Sequence, residues 1–381
     1  MKITDVKATI AAMGEFEWVF TRIYTSNGLV GTGEARGKAG YSSKGIKEAV
    51  LDMKPLLIGE DPTEVRKLGF RVNRSMRTSL GGLAAHAWAA LDIALWDLAG
   101  KSVGWPVYRL LGGRLRDRVK VYCDCGYGEG GEYTPEAFVE KAENRRTLGF
   151  KTLKFDVHHP SHGFHTGLST ISSRELELMK SCVSAIRERL RGDVDLALDC
   201  HWRYSVMDAV RLAHTLEGFD LLWLEDPVYA FGPEGVEALA AVSAATRTPI
   251  CAGENMYAAY DFLELLQRRA ASVISPDIGK IGLTEGMKVA DIAGVYNVIV
   301  APHNTNSPLG TVAACHLCAA MPNFLSLEYH YQDWPAWSTI IGEKQLVKDG
   351  FIEVPSKPGL GVELNGQAVT EYLLPGETFF E

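Results

Sequence analysis

The chain has 381 residues, 46% of them hydrophobic and 23% charged, with a formal net charge of −8. That length can bury a large core without staples, and the composition excludes a disordered or fibrous chain. The acidic balance, with no basic block, argues against a nucleic-acid partner, and no apolar run reaches the roughly 18 residues of a membrane span. The opening MKITDVKATI lacks the apolar core of a signal peptide, and seven cysteines is an odd number. The expectation is a cytoplasmic protein with reduced thiols.

Residues 1–33 alternate like strands, with Ser26-Asn27-Gly28 turning between Phe20–Tyr24 and Leu29–Gly31. Residues 43–111 read as helices. The clearest is Gly82–Leu98, where Leu83, His86, Ala87, Ala90, Leu91, Ala94, Leu95 and Leu98 recur at helical spacing. Strands followed by helices predict a small α+β domain over residues 1–115, closed by Leu111-Gly112-Gly113. From residue 118 the rhythm changes. Eight short apolar runs follow: Val119–Tyr122, Thr152–Phe155, Val194–Leu198, Leu221–Leu224, Pro249–Ala252, Ser272–Ser275, Val298–Ala301 and Phe324–Leu327. Helix-like segments such as Ser172–Leu190, Thr284–Val295 and Leu309–Met321 lie between them. The pattern predicts an α/β fold with a closed parallel barrel over residues 116–345. The Pro- and Gly-containing tail, 346–381, is expected to return to the first domain.

An ionisable residue lies in, or follows, each run after the first. They are Lys154, Asp199, Glu225, Glu254, Asp277, His303 and Glu328, spaced 45, 26, 29, 23, 26 and 25 residues apart. A lone acid after a strand is ordinarily a helix N-cap. Seven in register place their side chains on one rim, the C-terminal face where such barrels carry their sites. Asp199, Glu225 and Glu254 on successive strands repel one another unless a cation neutralises them, and an all-oxygen set suits Mg²⁺. Asp277 beside His303 would orient the imidazole and raise its basicity. Lys154 adds a positive charge. Such a site suits removal of a proton α to a carboxylate, with a metal ion countering the charge that develops.

The segments Ala94-Leu95-Trp96-Asp97, Trp223-Leu224-Glu225-Asp226-Pro227, Ala252-Gly253-Glu254-Asn255, Ala301-Pro302-His303 and Lys357-Pro358-Gly359-Leu360-Gly361-Val362 resemble the enolase superfamily in its mandelate racemase subgroup. The resemblance spans nearly the whole chain. It implies an α+β capping domain on a modified TIM barrel, (β/α)₇β, with Asp199, Glu225 and Glu254 as Mg²⁺ ligands. It also implies Asp277–His303 as the general-base dyad and Glu328 as the acid that hydrogen-bonds the substrate carboxylate. A homo-oligomer is implied too.

Two departures from the subgroup narrow the chemistry. Where the subgroup often has Lys-x-Lys, this chain has Lys154-Phe155-Asp156, which disfavours a two-base racemase. Asp199-Cys200-His201 resembles the Asp-x-His of galactonate-type sugar-acid dehydratases, which implies His201 as the acid that protonates a departing hydroxyl. The expected partner is a small sugar acid, aldonate or aldarate, dehydrated to a 2-keto-3-deoxy acid. Asp156, Arg203 and Asn304 are candidate substrate contacts, with Asn306 a further one, and Met13–Trp18 and Arg36–Ser43 are candidate specificity loops. The rivals are an epimerase or cycloisomerase using the same His303 half-reaction, and a non-catalytic metabolite-binding barrel.

Other motifs carry weaker signals. Gly126-Tyr127-Gly128-Glu129-Gly130-Gly131 is a literal G-x-G-x-x-G and raises an NAD-dependent oxidoreductase. Glu129 and Glu132 would face a pyrophosphate, however, and the helix starts only at Thr134-Pro135, so a βα loop is the better reading. Cys315-His316-Leu317-Cys318 has no second pair for zinc and reads as buried thiols. The stretch His158–His165 holds four histidines and accounts for the 45-residue spacing. It could bind metal, shape a lid or form an oligomer contact.

Overall fold

A computed structural model describes residues 1–14, 16–38, 42–76, 81–158, 170–331, 337, 339–342 and 345–381. Three strands, β1 (Ile3–Met13), β2 (Phe16–Thr25) and β3 (Val30–Lys38), form an antiparallel meander, with Gly28 at φ 83° in the β2–β3 turn. Helices Ser43–Leu57, Val65–Ser75 and Gly82–Val103 cover it. The long helix lies tight on β3: a Cβ on Gly33 would stand 2.0 Å from the Ala90 carbonyl oxygen. Glycine there permits close helix–sheet approach.

The second unit begins with β4 (Arg118–Asp124) and continues through β5 (Thr152–Asp156), β6 (Asp195–Asp199), β7 (Trp223–Glu225), β8 (Ile250–Ala252), β9 (Val273–Ile274), β10 (Ile299–Val300) and β11 (Leu327–His330). Each pairs in parallel with the next from β4 to β10, and β11 pairs with β4. A bridge between Val300 and Phe324 joins the chain just before β11 to β10 and closes the ring. The fold is therefore the expected modified TIM barrel with a separate N-terminal sheet. The eighth run is corrected, because Phe324 makes only that bridge and the strand proper runs Leu327–His330. Glu328 thus lies inside a strand rather than after one. β12 (Phe351–Glu353) pairs antiparallel to β4.

The barrel interior is filled by Tyr122, Ala197, Trp223, Cys251, Val273 and Ala301. Tyr122 and Trp223 meet edge to face at 5.2 Å. This layer fills the barrel interior. The first domain is locked to the barrel by buried polar joints. Asp92 accepts from the Thr284 amide (2.9 Å), and Glu34 accepts from the amides of Ser307 (2.7 Å) and Gly310 (3.0 Å). The tail makes hydrogen bonds to the first domain. Leu360 N–H donates to Asp97 Oδ1 (2.8 Å) and Leu374 N–H to the Ile10 carbonyl (3.0 Å). No helix among the described residues is long and apolar enough to cross a membrane.

All seven cysteines are free. Cys315 and Cys318 are buried in the helix Pro308–Ala320, and His316 between them is structural. Its Nε2–H donates to the Leu360 carbonyl (3.0 Å) while Nδ1 accepts the Tyr108 amide (3.2 Å). Burial lowers its pKa to about 4. A depressed folded-state value gives stability that is present above the unfolded value of roughly 6.5 and lost as pH falls through 4. Between pH 7 and 4.5 this one ring should contribute a loss of about 2–3 kcal/mol. Urea unfolding at the two pH values should show a smaller acid loss for His316→Gln than for the parent chain. Equal losses would contradict the assignment.

Candidate active site

Strand register gathers the expected residues. Asp156 is the Cα partner of Asp199, and Asp199 of Glu225, so three consecutive strands end level. Glu254, Asp277 and His303 follow β8, β9 and β10 by two or three residues. Together with Glu328 of β11 they surround a cavity of about 790 Å³ at the C-terminal mouth, of which Lys154, Asp156, Asp199, His201, Glu254, His303 and Glu328 form lining. A smaller cavity, about 460 Å³, lies between helix Val65–Ser75 and the barrel and carries none of this carboxylate set.

Asp199, Glu225 and Glu254 are buried and bring one oxygen each within 4.8 Å of one another. Trp223 Nε1–H donates to Glu225 Oε2 (2.7 Å). Lys154 Nζ reaches Glu225 Oε1 (3.0 Å), Asp199 Oδ2 (2.9 Å), Glu328 Oε1 (2.7 Å) and Asp124 Oδ2 (3.4 Å). One ammonium thus faces four acids at the cavity floor. Burial still pushes Glu225 well above the usual carboxylate range. The acids carry more negative charge than Lys154 offsets, and an all-oxygen donor set fits a hard divalent cation.

Asp277 does two jobs. Its Oδ1 accepts Gly279 N–H (2.8 Å), capping the helix Ile278–Val295, and its Oδ2 accepts from His303 Nδ1 (2.8 Å). The N-cap and the functional reading are therefore compatible, because a carboxylate has two oxygens. Although burial disfavours its charge, His303 and Lys280 hold Asp277 far below the ordinary carboxylate range. An ionised Asp277 can only accept, so Nδ1 bears hydrogen and Nε2 faces the cavity, 3.4 Å from Glu254 Oε2 and 3.6 Å from Glu328 Oε2. Burial opposes charge on His303, yet Glu254, Glu328 and Asp277 together raise its pKa.

His201 stands beyond Asp199, on the opposite side of the acidic set. Its N–H donates to Asp199 Oδ1 (2.9 Å), and its Nδ1 lies 3.6 Å from Asp199 Oδ1 and 3.7 Å from Asp156 Oδ1. His201 and Trp202 both have positive φ, 48° and 58°, which side-chain-bearing residues adopt sparingly. Burial works against its charge, but Asp199 and Asp156 raise the imidazole to about 9. Burial likewise raises Asp156 to about 7.

Two expected substrate contacts are outside the cavity lining. The Asn304 amide donates to Thr311 Oγ1 (2.9 Å) and the Glu328 carbonyl (3.0 Å), while its oxygen accepts from Asn306 (2.9 Å). Its capacity is spent on the barrel, and Asn306 is turned inward with it. Arg203 is buried and outside the cavity lining. Of the expected specificity loops, Phe16 and Arg36 line the cavity; Glu15 and residues 39–41 lie outside the described residues, as do 159–165 of the histidine stretch.

Several contributors escaped the sequence. Lys280 donates to the Glu254 carbonyl (2.7 Å) and Asn255 Oδ1 (3.0 Å), fixing the loop that carries Glu254. Its position three residues after Asp277 was the available signal. Tyr127, Tyr229 and Phe231 also line the cavity. The glycine run spends its amides internally: Gly126 N–H on Asp124 (3.0 Å), Gly128 N–H on Glu132 (3.1 Å) and Gly131 N–H on Gly128 (3.0 Å). A phosphate cradle needs such amides directed at a ligand. The helix starts at Pro135 with Thr134 capping Ala137 N–H, as read from sequence.

Comparison with known proteins places this geometry. Residues 1–112 match the model of the mandelate racemase/muconate lactonizing enzyme N-terminal domain, and residues 137–368 the enolase C-terminal domain-like model. The chain is 38% identical to a D-xylonate dehydratase of Haloferax volcanii, over 100% of this chain and 91% of that protein. It is 33% identical to a D-gluconate dehydratase of Thermoproteus tenax, over 93% and 69%. A crystal structure of a mandelate racemase/muconate lactonizing enzyme-like protein from Rubrobacter xylanophilus superposes with a TM-score of 0.91 at 36% identity, covering 100% of this chain and 99% of that one.

Proposed function

The chain belongs to the mandelate racemase/muconate lactonizing enzyme family of the enolase superfamily and is a carbon–oxygen lyase among its sugar-acid dehydratases, and from that premise we propose a magnesium-dependent dehydration of an aldonic or aldaric acid to a 2-keto-3-deoxy acid. One observation carries the reading. The acidic trio is flanked by His303, 3.4 Å from Glu254, and on its other side by His201, 3.6 Å from Asp199. A substrate carboxylate seated at the trio would present C2 to one imidazole and C3 to the other.

Asp199, Glu225 and Glu254 would hold the divalent ion, which supplies Lewis-acid stabilisation of negative charge on the substrate carboxylate. His303 Nε2 takes the C2 proton, and Asp277 stabilises the imidazolium that results. Glu328 and Lys154 meet the carboxylate oxygens at the cavity floor. The electron pair from C2–H moves toward C1, returns to form the C2–C3 double bond, and expels the C3 oxygen. His201 gives that oxygen its proton, so water leaves. The enol then gains a proton at C3 as its own O–H proton is lost, leaving the ketone at C2. Asp156 holds His201 and borders the sugar chain.

The test is proton NMR in D₂O with Mg²⁺ and pooled aldonic and aldaric acids, D-xylonate and D-gluconate among them. A deuterated 2-keto-3-deoxy product is expected. Exchange at C2 with no loss of water would favour epimerisation. The His201→Asn variant should keep C2 exchange but lose dehydration by about 10²–10⁴-fold. Undiminished dehydration would remove His201 from the acid role.

A further inference from the structure

Beside the acidic trio stands a second cluster that the proposed reaction uses only in part. Asp156, His158 and His201 bring ligand atoms within 4.8 Å of one another. Strand pairing assembles them. Asp156 closes β5 opposite Asp199, and the Val157 amide donates to the Asp199 carbonyl (2.9 Å), so the pairing runs on toward His158 and His201. Two imidazoles and a carboxylate are a borderline donor set, suited to Zn²⁺ and its neighbours rather than to Mg²⁺.

We propose that Asp156, His158 and His201 form a second divalent-metal site, selective for Zn²⁺-type ions and adjoining the first through Asp199. Donors in a tetrahedral zinc site with bonds of about 2.0 Å stand about 3.3 Å apart. His201 Nδ1 is 3.7 Å from Asp156 Oδ1, so that pair needs only a small contraction. The Tyr127 hydroxyl lies 2.7 Å from His158 Nε2, and the two imidazoles meet edge to face at 5.1 Å. A hydrogen bond on one ring nitrogen fixes the orientation in which the other ligates, as outer partners do in metal sites. A ligand bond from His158 is then made by Nδ1. Asp156, His201 and Tyr127 line the open cavity, which gives the ion a route in. The neighbouring cluster Asp124, Glu328 and His330 offers one imidazole and two carboxylates, a harder donor set that is less suited to zinc.

The consequence rests on the dehydratase reading. An ion on His201 removes the acid that releases the hydroxyl, so zinc should suppress dehydration while sparing C2 exchange. The binding itself does not depend on that reading. Equilibrium dialysis of the Mg²⁺-loaded protein against Zn²⁺, with metal analysis, should find one zinc per chain retained in excess Mg²⁺. His158→Gln should weaken it at least tenfold, and Tyr127→Phe, which keeps all three ligands, by about tenfold. The Mg²⁺-supported rate and thermal midpoint of His158→Gln should stay near those of the parent, with zinc inhibition relieved. Unchanged zinc affinity in His158→Gln overturns the site. So does loss of binding in His330→Gln instead, or absence of retained zinc in the parent chain. A protein that binds zinc through His158 but dehydrates nothing keeps the site and refutes the proposed activity.

Discussion

Replacing His303 with asparagine is expected to lower dehydration and C2 proton exchange together, by about 10²–10⁴-fold. Both reactions begin with the same proton. Of the two His303 ring nitrogens it is Nε2 that would meet it, because Nδ1 is committed to Asp277 at 2.8 Å. Asparagine can still donate to Asp277 and nearly fills the site, so the fold and the carboxylate trio should survive. The informative comparison is with His201→Asn. A base variant silences exchange and dehydration alike, whereas an acid variant separates them. Measuring both rates in D₂O on the two variants distinguishes the roles without knowing the natural sugar acid. Exchange at parental rate in His303→Asn would sink the base assignment.

Chelation should abolish activity, and Mg²⁺ should restore it to the parent chain but not to Glu225→Gln at the same concentration. The physical reason is charge. Glu225 is buried among Asp199, Glu254 and Glu328, with Lys154 as the near cation. Glutamine removes one negative ligand and weakens the ion's hold. Stability should move differently from activity. Without metal, the variant should unfold no earlier than the parent, since a buried charge that burial already disfavours has been removed. With Mg²⁺ at a hundred times its dissociation constant, the parent alone should gain about 2.7 kcal/mol. Calorimetry with and without Mg²⁺ reads both effects. Activity that persists after exhaustive chelation would refute a metal-dependent reaction.

Much of the site was readable in one dimension because the barrel repeats. A polar residue after each buried strand occurs once per βα unit, and the parallel sheet converts that period into a ring. Asp199, Glu225, Glu254, Asp277 and His303 needed nothing more. The helices were equally legible where a cap marked them, as at Thr134-Pro135 and Ser172. The Ala94–Asp97 and Lys357–Val362 motifs were visible as motifs, but their meaning was not. In the fold Asp97 accepts the Leu360 amide, so the two stretches are one joint between first domain and tail.

Sequence alone determined the barrel, its attachment to an α+β domain, the rim of ionisable groups and the chemistry such groups share, because strand period and strand ends are local properties. Only the tertiary structure decided which way each side chain turns. Asn304 follows a rim residue, yet it sits behind the wall, since its hydrogen bonds are made to Thr311 and Glu328, and Arg203 is buried outside the cavity lining. Lys154 became the counter-ion of four acids drawn from four strands, and the Tyr127 hydroxyl met the buried His158, through contacts that no spacing along the chain encodes.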